Sequence, residues 1–558
     1  MIPAMIATAV APETITKVTR LFNNTAYDVI CELFQNARRA GATAIAVAVI
    51  PAPDATYLEI VDDGHGIDDP ASIVTLGRSG WSDDTRKAED PAGMGVFSLA
   101  GRDVIIRSYS RPDRQGWMAH IPASAWETSR PIAISTDPIP LGTSIMVRMP
   151  DSWLKTIERD VAAAALHFPV PVTLNGTAQP RKDWLADAVY TETWNGTRIG
   201  IFKTPAPQHS RHNQRLNFHG LTIPCDLPTL SEVDRGHIWT ARIDILNAPS
   251  IQLVLPARKE VVENAGIEAL RAAVQRALFH AVAAQGTHRL SFEDWSKARD
   301  LGIALPEAEP YLWTWTAPAA DSSRNFDTGG RTADPAMVLM PDFDALIAQP
   351  AERAIVKHNP FGGPLVEAKT AFEGYGWYDC LARVEALGFR VTQGDLVFEI
   401  TDGEPAPAEA QDGWVDAIAL EATIAHAGAY VEVSCDADVA FAPSDAHWNS
   451  AEDTSIFVRC DSGARALDVA DLFESAAFCP SDDGDADSYD TQQERFQRFA
   501  ASRIIGLLEG GDAALASRIR DLLAGHYYLI PADRTVTITV TSAELTVAIA
   551  PLATEAAS

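Results

Sequence analysis

The sequence predicts an α+β protein of several domains, and three observations lead to that prediction. At 558 residues the chain is several times longer than a typical single domain. Hydrophobic residues make up 47% of it, which is enough to form buried cores and argues against a disordered chain. Runs with the helical period of about 3.6 residues and runs with the strand period of two both occur, with turn residues between them.

The first predicted element is a helix over 27–41 that carries a carboxylate and an amide on one face. Glu32 and Asn36 are four residues apart, so their side chains project from the same face, one turn apart. A carboxylate can take a proton from water, and an amide oxygen is a ligand for hard metal ions. Taken alone, such a pair is common on helix surfaces. The apolar stripe of this helix is Val29, Ile30, Leu33, Phe34 and Ala37.

Two strands are predicted next, over 44–50 and 57–61, and the second runs into Asp62-Asp63-Gly64-His65-Gly66-Ile67. Glycines at alternate positions after a strand let a ligand approach the backbone closely. Asp62 is placed to accept a hydrogen bond from an exocyclic amine, while Gly64 and Gly66 leave room for a flat ring. A surface Asp-Gly turn is the alternative interpretation.

A short helix over 70–76, a polar stretch over 77–91 and then a pair of glycines have the features of a phosphate-binding region. The stretch suits a mobile lid in which Arg78, Ser79 and Lys87 contact phosphate, with a solvated loop as the alternative. Gly93-Met94-Gly95-Val96 then opens a short helix, whose free N–H groups form an anion site. Strands over 104–108, 117–121, 132–135 and 144–149 follow, Gly142-Thr143 precedes the last of them, and a helix over 153–168 closes the unit.

Four motifs occur in a fixed order: Glu-x-x-x-Asn on a helix, Asp-x-Gly-x-Gly after a strand, Gly-x-Gly before a helix and Gly-Thr before a strand. Over about residues 20–165 this order resembles the GHKL ATPase superfamily. That superfamily includes the ninety-kilodalton heat-shock chaperone, the gyrase B subunit, the mismatch-repair protein MutL and the sensor histidine kinases. The segment 36–43 is especially similar to the chaperone and mismatch-repair branches. The resemblance implies an α/β-sandwich domain, a mixed sheet covered by helices, that binds and hydrolyses ATP with magnesium.

The resemblance implies a role for each matching residue. Glu32 would be the general base for the attacking water, and Asn36 would bind magnesium. Asp62 would bind the adenine amine, with Thr143 helping through an ordered water, and Gly66 would admit the adenine ring. Asp63 departs from the family pattern, in which many members carry asparagine, and its side chain is expected to point away from adenine. The other nucleotide contacts would be Gly64, Ile67, Arg78, Ser79, Gly93, Met94, Gly95 and Val96, with Gly93 and Gly95 around the phosphates.

Beyond Pro169 the pattern changes to strands followed by a long helix over 261–284. This order is similar to the α+β transducer domain that follows the ATPase domain in the chaperone, gyrase and mismatch-repair branches. The segment 255–260 resembles the chaperone middle-domain loop that carries a catalytic arginine, so Arg258 is the candidate γ-phosphate sensor. Lys259 is the alternative, because gyrase-like members use lysine. The strands of this part are predicted over 170–174, 198–202, 215–223, 238–246 and 251–255.

The expected domain order is an ATP-binding domain over 1–168, a transducer-like domain over 169–290, a linker over 291–335 and an acidic α+β region over 336–558. The linker is predicted from its proline and small polar residues. No family resemblance is found for the last region. Its predicted helices are 365–387, 415–426, 464–475, 491–508 and 512–524, and its predicted strands are 396–400, 430–434, 455–458, 535–540 and 544–549.

The net charge of −30 belongs almost wholly to the C-terminal half. Residues 301–558 carry 15 Lys and Arg against 42 Asp and Glu, whereas residues 1–300 carry 30 against 33. Such a surface repels phosphate backbones, so it disfavours DNA as a partner and leaves an unknown protein client or partner. Acidity that only keeps the protein in solution is the alternative.

The cysteines and the apolar runs indicate a compartment. The six cysteines form no C-x-x-C pair, which argues against a disulfide framework or a zinc site. No apolar run is long enough to span a bilayer. The mildly apolar start, residues 1–12, has no basic region before it, so no signal peptide is expected. We therefore expect a protein of the reducing cytoplasm, with no membrane partner.

Together these features predict a cytoplasmic, magnesium-dependent, chaperone-like ATPase. The resemblance implies that ATP closes the lid and joins the N-terminal domains of a homodimer, with residues 1–25 as a candidate exchanged segment. A sensor-kinase-like phosphotransferase is one alternative, disfavoured because no phosphoacceptor-histidine helix precedes Glu32. A DNA-processing subunit of the topoisomerase or mismatch-repair kind is a second alternative. A nucleotide-binding scaffold with negligible turnover is the third.

Overall fold

A computed structural model describes residues 25–73, 96–128, 131–205, 214–254, 260–321, 329–443, 451–524, 526–541 and 543–551. The chain divides into two compact units, Met1–Ala308 and Glu309–Ser558. Helices and several sheets alternate along both units, so the predicted α+β class is confirmed. Within the part of the chain that the structure describes, no helix is long and apolar enough to cross a membrane.

The first unit begins with an eight-stranded mixed sheet. Its strands are β1 (Ile45–Pro51), β2 (Thr56–Asp62), β3 (Val104–Ser110), β4 (Gln115–Ile121), β5 (Ile134–Asp137), β6 (Thr143–Arg148), β7 (Val172–Leu174) and β8 (Thr177–Ala178). They are ordered β5-β4-β3-β6-β2-β1-β7-β8. Strands β1 and β7 run parallel, while β2 runs antiparallel to both β1 and β6. The β2–β6 register pairs Asp62 with Thr143, so two motifs that are distant in the sequence meet at one end of the sheet.

The helices of this part of the chain share one core with the sheet. The first, α1 (Ala26–Arg39), begins at Thr25, whose hydroxyl accepts a hydrogen bond from the Asp28 backbone at 3.1 Å. Its predicted apolar stripe is confirmed, because all five members are buried. Phe34 contacts Phe168, with ring centroids 5.3 Å apart. The other helices are α2 (Ala125–Thr128), α3 (Asp151–Leu154) and α4 (Ile157–Ala165), with 3-10 helices at Pro70–Ile73 and Val96–Leu99.

A six-stranded sheet and two helices form the second core of the first unit. The strands are β9 (Tyr190–Trp194), β10 (Thr197–Pro205), β11 (Gln214–Phe218), β12 (Leu221–Pro224), β13 (Leu230–Ser231) and β14 (His237–Ile245). They are ordered β12-β11-β14-β10-β9, and β13 pairs with β14. The helix α5 (Ala265–Gln285) confirms the predicted long helix, and α6 (Phe292–Asp300) follows it.

One strand expected in this region is absent from the described residues, and part of the expected linker is packed. The strand expected over 251–255 reduces to an isolated bridge between Leu253 and Val261. The linker expected over 291–335 includes α6, and Ala298 and Ile303 are buried in the same core as the second sheet. Its proline and small polar residues predicted a linker, and the apolar side chains of Ala298 and Ile303 pack against residues that are distant in the sequence.

The second unit contains a six-stranded sheet, a three-stranded sheet and two isolated strand pairs. Its strands are β15 (Tyr311–Trp313), β16 (Gly330–Thr332), β17 (Val338–Met340), β18 (Leu365–Glu367), β19 (Ala382–Gln393), β20 (Leu396–Ile400), β21 (Gly413–Val415), β22 (Ala417–His426), β23 (Ala429–Asp436), β24 (Val439–Ala442), β25 (Ser455–Arg459), β26 (Arg534–Val540) and β27 (Leu545–Pro551). Its helices are α7 (Ala345–His358), α8 (Gly376–Asp379), α9 (Ala466–Ala477), α10 (Tyr489–Glu509) and α11 (Gly511–Ala524), with 3-10 helices at Thr370–Phe372 and Tyr527–Leu529.

Two predicted helices of this unit are strands. The segment predicted as a helix over 415–426 is β22, in which alternate residues are buried, as in a strand with one face covered. Its many alanines and its glutamate favoured a helix. The segment over 365–387 contains β18 and the start of β19. A register shift between Val384 and Ala386 breaks the two-residue alternation of β19, which removed the strand pattern from the sequence.

Candidate active site

Helix α1 presents Glu32 and Asn36 together with a third side chain, Arg39. The Arg39 guanidinium donates a hydrogen bond from Nη1 to Asn36 Oδ1 at 3.1 Å and lies 3.8 Å from Glu32 Oε1. The Arg39 side chain is 1% exposed and that of Glu32 is 17% exposed. A buried cation therefore holds the carboxylate and the amide in one cluster. Arg39 follows Asn36 by three residues and Glu32 by seven, so it lies on the same face of the helix. This spacing is the sequence feature that could have revealed Arg39 as a member of the cluster.

The loop that carries Asp62 is attached to the end of α1. The His65 backbone N–H donates to the Ala40 carbonyl at 2.9 Å. The Asp63 carboxylate accepts from the backbone N–H groups of Thr43 at 2.6 Å and Ala44 at 3.0 Å, and also from the Thr43 hydroxyl. These hydrogen bonds lower the pKa of Asp63, and the one from the Thr43 hydroxyl has the largest effect. Asp63 thus fastens the loop to the residues after α1.

Asp62 is a half-buried carboxylate with altered acidity. Burial raises its pKa to about 6, although hydrogen bonds from the backbone N–H groups of Gly64 and Thr143 act in the opposite direction. The Gly64 N–H lies 2.9 Å from Asp62 Oδ1. At neutral pH the group is mostly ionised, so it is a strong acceptor in a partly desolvated place.

Thr143 belongs to a hydrogen-bonded network around Ser108 on β3. The Thr143 hydroxyl is 2.8 Å from the Ser108 hydroxyl, and both residues are buried. Ser108 Oγ also accepts from the Ile67 backbone at 2.8 Å and donates to the Gly142 carbonyl at 3.2 Å. Ser108 therefore joins the Asp-x-Gly-x-Gly loop to the Gly-Thr motif. Sequence reasoning missed it, since a serine inside a strand carries no motif of its own.

The two glycines of the Asp62 loop are required by neighbouring protein atoms. Gly66 has φ +80°, and a Cβ added there would lie 2.2 Å from the Tyr109 carbonyl oxygen. A Cβ on Gly64 would lie 2.8 Å from both the Cβ and the carbonyl oxygen of Ala40. The room left by the missing Gly66 side chain therefore accommodates the backbone of β3, and both glycines permit close backbone contacts. The expected role of Gly66 in admitting adenine stays a prediction.

Replacement of Gly142 is expected to destabilise the site end of the sheet. Gly142 has φ +73°, and an added Cβ would lie 1.9 Å from the Asp62 carbonyl oxygen. A left-handed alanine costs about 1–2 kcal/mol, and the overlap adds to that cost. Gly142→Ala should therefore lower the free energy of unfolding by more than about 2 kcal/mol in denaturant titrations.

The matched control is Gly176→Ala, at the turn between β7 and β8. Gly176 has φ +80°, but nothing lies within 4 Å of its added Cβ. The free energy of unfolding of this variant should fall only by the backbone term of about 1–2 kcal/mol. Equal decreases in the free energy of unfolding of the two variants would mean that Gly142 does not pack against the Asp62 carbonyl.

The residues present are compatible with one protein ligand to magnesium. Magnesium bound with a nucleotide usually takes one or two protein oxygens, the rest coming from phosphates and water. Asn36 Oδ1 has two lone pairs, and Arg39 uses one of them, so the other can face a metal ion. Among the described residues, no group of three or more His, Cys, Asp or Glu side chains forms a metal cluster.

Several predicted site residues lie outside the described residues. They are Arg78, Ser79 and Lys87 of the predicted lid, Gly93, Met94 and Gly95, and the two candidates for the γ-phosphate sensor, Arg258 and Lys259. The backbone of Val96 begins the 3-10 helix Val96–Leu99. The described ones are Glu32, Asn36, Asp62, Gly64, Gly66, Ile67 and Thr143. The Asp62 loop meets Thr143 at one end of the first sheet, and His65 joins that loop to Ala40 at the end of α1, the helix that carries Glu32 and Asn36.

Comparison with known proteins gives matches among solved structures alone. No protein-family model and no curated protein matches the chain. The ATPase region of Saccharomyces cerevisiae topoisomerase II bound to ICRF-187 (dexrazoxane) is 11% identical, with a TM-score of 0.33, and the match covers 46% of this chain and 90% of that one. A second structure of the ATPase region of Saccharomyces cerevisiae topoisomerase II is 10% identical, with a TM-score of 0.34, and the match covers 50% of this chain and 98% of that one. Neither structure is of a chaperone, so the expected chaperone-like branch stays a prediction.

Proposed function

We propose that the first unit binds ATP and hydrolyses it to ADP and phosphate. The observation that carries this proposal is the attachment of the Asp62 loop to the end of α1. Through the His65–Ala40 hydrogen bond, a half-buried carboxylate able to bind an exocyclic amine is joined to a helix that presents a second carboxylate and an amide oxygen. Amine recognition, water activation and a metal ligand are the three functions that such a hydrolase requires.

The chemistry assigned to these side chains follows from their charges. Glu32 accepts the proton of the attacking water, because it is the partly exposed carboxylate of the cluster. Arg39 stays buried and holds the side chains of Glu32 and Asn36 in place relative to each other. Asp62 accepts a hydrogen bond from the adenine amine. Magnesium, held by Asn36, would supply positive charge at the phosphates.

Two finer features of the proposal come from the sequence, one from the resemblance and one from the charge. Residues 36–43 support the chaperone-like branch, and with it a nucleotide-gated homodimer. The acidic residues after 300 favour a protein client or partner over DNA, since like charges repel a phosphate backbone. A DNA-processing ATPase subunit is the second candidate, and stimulation of the ATPase rate by duplex DNA at low salt would favour it.

Asp62→Asn tests the adenine site through the pH dependence of ATP affinity. The uncharged amide offers a weaker acceptor, so loss of the charged hydrogen bond should cost roughly 1.5–3 kcal/mol of binding at pH 8. Wild-type affinity should fall as the pH drops through about 6, by up to tenfold per unit, because Asp62 becomes protonated there. The affinity of the variant should lack this dependence. Calorimetric titration with ATP at several pH values measures both effects.

The same variant has a pH-dependent effect on stability. Because the folded pKa of about 6 exceeds the ordinary 3.8, Asp62 stabilises the fold fully below 3.8, and this contribution is lost as the pH rises through 6. The melting temperature of Asp62→Asn should therefore rise relative to wild type between pH 4 and pH 7.

If Asp62→Asn binds ATP with the wild-type affinity at every pH, Asp62 does not bind the adenine amine, and adenine binds elsewhere.

A further inference from the structure

The catalytic helix α1 is hydrogen-bonded to the second sheet through one buried side chain, Gln35. Gln35 is 4% exposed and lies between Glu32 and Asn36 in the sequence. Its Nε2 donates to the carbonyl of His219 at 2.7 Å and to that of Phe218 at 3.3 Å. Its Oε1 accepts from Arg38 Nε at 3.3 Å. Both ends of the amide are therefore used, and the donor end reaches the turn between β11 and β12.

That turn, residues 217–220, has a defined and unusual backbone. His219 has φ +53° and Gly220 has φ +98°. The Asn217 side chain closes the turn by accepting from the Gly220 N–H at 2.8 Å, and its Nδ2 donates to Asp244 Oδ1 on β14 at 2.7 Å. The carbonyls that Gln35 contacts are thus held by the second sheet, so a shift of that sheet moves them.

The 217–220 turn also packs against the core below α1. A Cβ added to Gly220 would lie 2.9–3.0 Å from atoms of Phe168, which leaves no room for a larger residue. The Phe168 ring contacts the Phe34 ring of α1. A polar contact through Gln35 and an apolar contact through Phe168 therefore join the turn to the same helix.

We propose that Gln35 is a positioning residue that couples the second sheet to the Glu32–Asn36 pair. This proposal rests on the proposed ATPase function. Because Gln35 follows Glu32 by three residues and precedes Asn36, its contact determines the rotation and height of both side chains along the helix axis. Nucleotide-dependent movement of α1 is passed to the 217–220 turn, and displacement of the turn misplaces the general base.

Gln35→Met tests the coupling, because methionine keeps the size of the side chain and removes the donor. Misplacement of a catalytic group by about 1 Å can cost on the order of 10²-fold in rate. We expect kcat to fall by about 10-fold to 10²-fold, with ATP affinity changed by less than about 3-fold. A structural defect alone would leave kcat unchanged at a temperature at which the variant is fully folded.

The matched control is Gln349→Met, in the other unit. Gln349 Nε2 also donates to two consecutive carbonyls, those of Ala317 and Pro318, each at 3.1 Å. This variant loses the same kind of contact and should turn over ATP at the wild-type rate. A similar fall in kcat for Gln349→Met would show that the Gln35→Met effect does not come from the contact between α1 and the second sheet, and would overturn the proposal.

Hydrogen exchange with and without a non-hydrolysable ATP analogue separates this proposal from the proposed function. In the wild type, the analogue should slow amide exchange in α1 and in the 217–220 turn, whereas in Gln35→Met the slowing should remain in α1 and disappear from the turn. Slowing of the turn in Gln35→Met with wild-type kcat refutes the coupling. No slowing in α1 of the wild type refutes nucleotide binding itself, and the coupling with it.

Discussion

Glu32→Ala is expected to keep ATP binding and to lose turnover by about 10²–10⁴-fold, the usual contribution of one general base. The carboxylate acts on the attacking water, so its loss affects the transition state more than the bound nucleotide. Its side chain is 17% exposed, which leaves it accessible to water while Arg39 holds it from one side. Steady-state rates and equilibrium ATP titrations on the same preparation measure the two effects separately.

The control for this variant lies one turn earlier on the same helix. Asp28 is four residues before Glu32, so it projects from the same face. Asp28→Ala removes a carboxylate of the same helix without removing the proposed base, and turnover should stay near the wild-type rate. Near wild-type hydrolysis by Glu32→Ala would remove Glu32 from the mechanism, and equal losses in both variants would point to damage to the helix.

Arg258→Ala is the second prediction with a large effect, and it tests whether the segment before α5 takes part in the chemistry. Arginines that stabilise transferring phosphoryl groups contribute about 10³–10⁵-fold to kcat. Because its charge is needed in the transition state, turnover should fall far more than ATP affinity. Arg258→Lys should recover little, since lysine offers a point charge in place of a planar fork.

Lys259→Ala distinguishes the two candidates for this role. If Arg258 contacts the γ-phosphate, Lys259→Ala should retain most of the turnover. Loss of turnover in Lys259→Ala alone would assign the role to Lys259 and favour the gyrase-like comparison. Wild-type rates in Arg258→Ala and Lys259→Ala would separate this segment from catalysis. Steady-state rates at saturating ATP, together with ATP titrations, decide among these outcomes.

The local elements around the site could be read from the sequence because their patterns are short-range. The stripe from Val29 to Ala37 has the period of one helix face, and that face is buried. The strand before Asp62 follows an equally local rule. Each depends on residues within one helical turn or one strand, so no tertiary partner was needed to predict it.

In the second unit, the predictions of secondary structure were wrong where tertiary contacts override local preference. The alanines and glutamate of β22 favour a helix in isolation. Pairing with β19 on one side and β23 on the other satisfies its backbone and buries alternate residues, which an isolated segment cannot do. The bulge in β19 was likewise hidden, because an extra residue in a strand breaks the alternation by which strands are predicted.

For this protein, the sequence by itself determined the order of the four motifs and the residue types able to accept protons, bind an amine and hold magnesium. Only the tertiary structure decided that Arg39 lies buried between Glu32 and Asn36, that Ser108 joins the Asp62 loop to Thr143, and that Gln35 reaches the second sheet. The physical reason is range. A motif is a relation among neighbours along the chain, whereas the Gln35 contact joins residues more than 180 positions apart, and only packing of the two sheets brings them within hydrogen-bond distance.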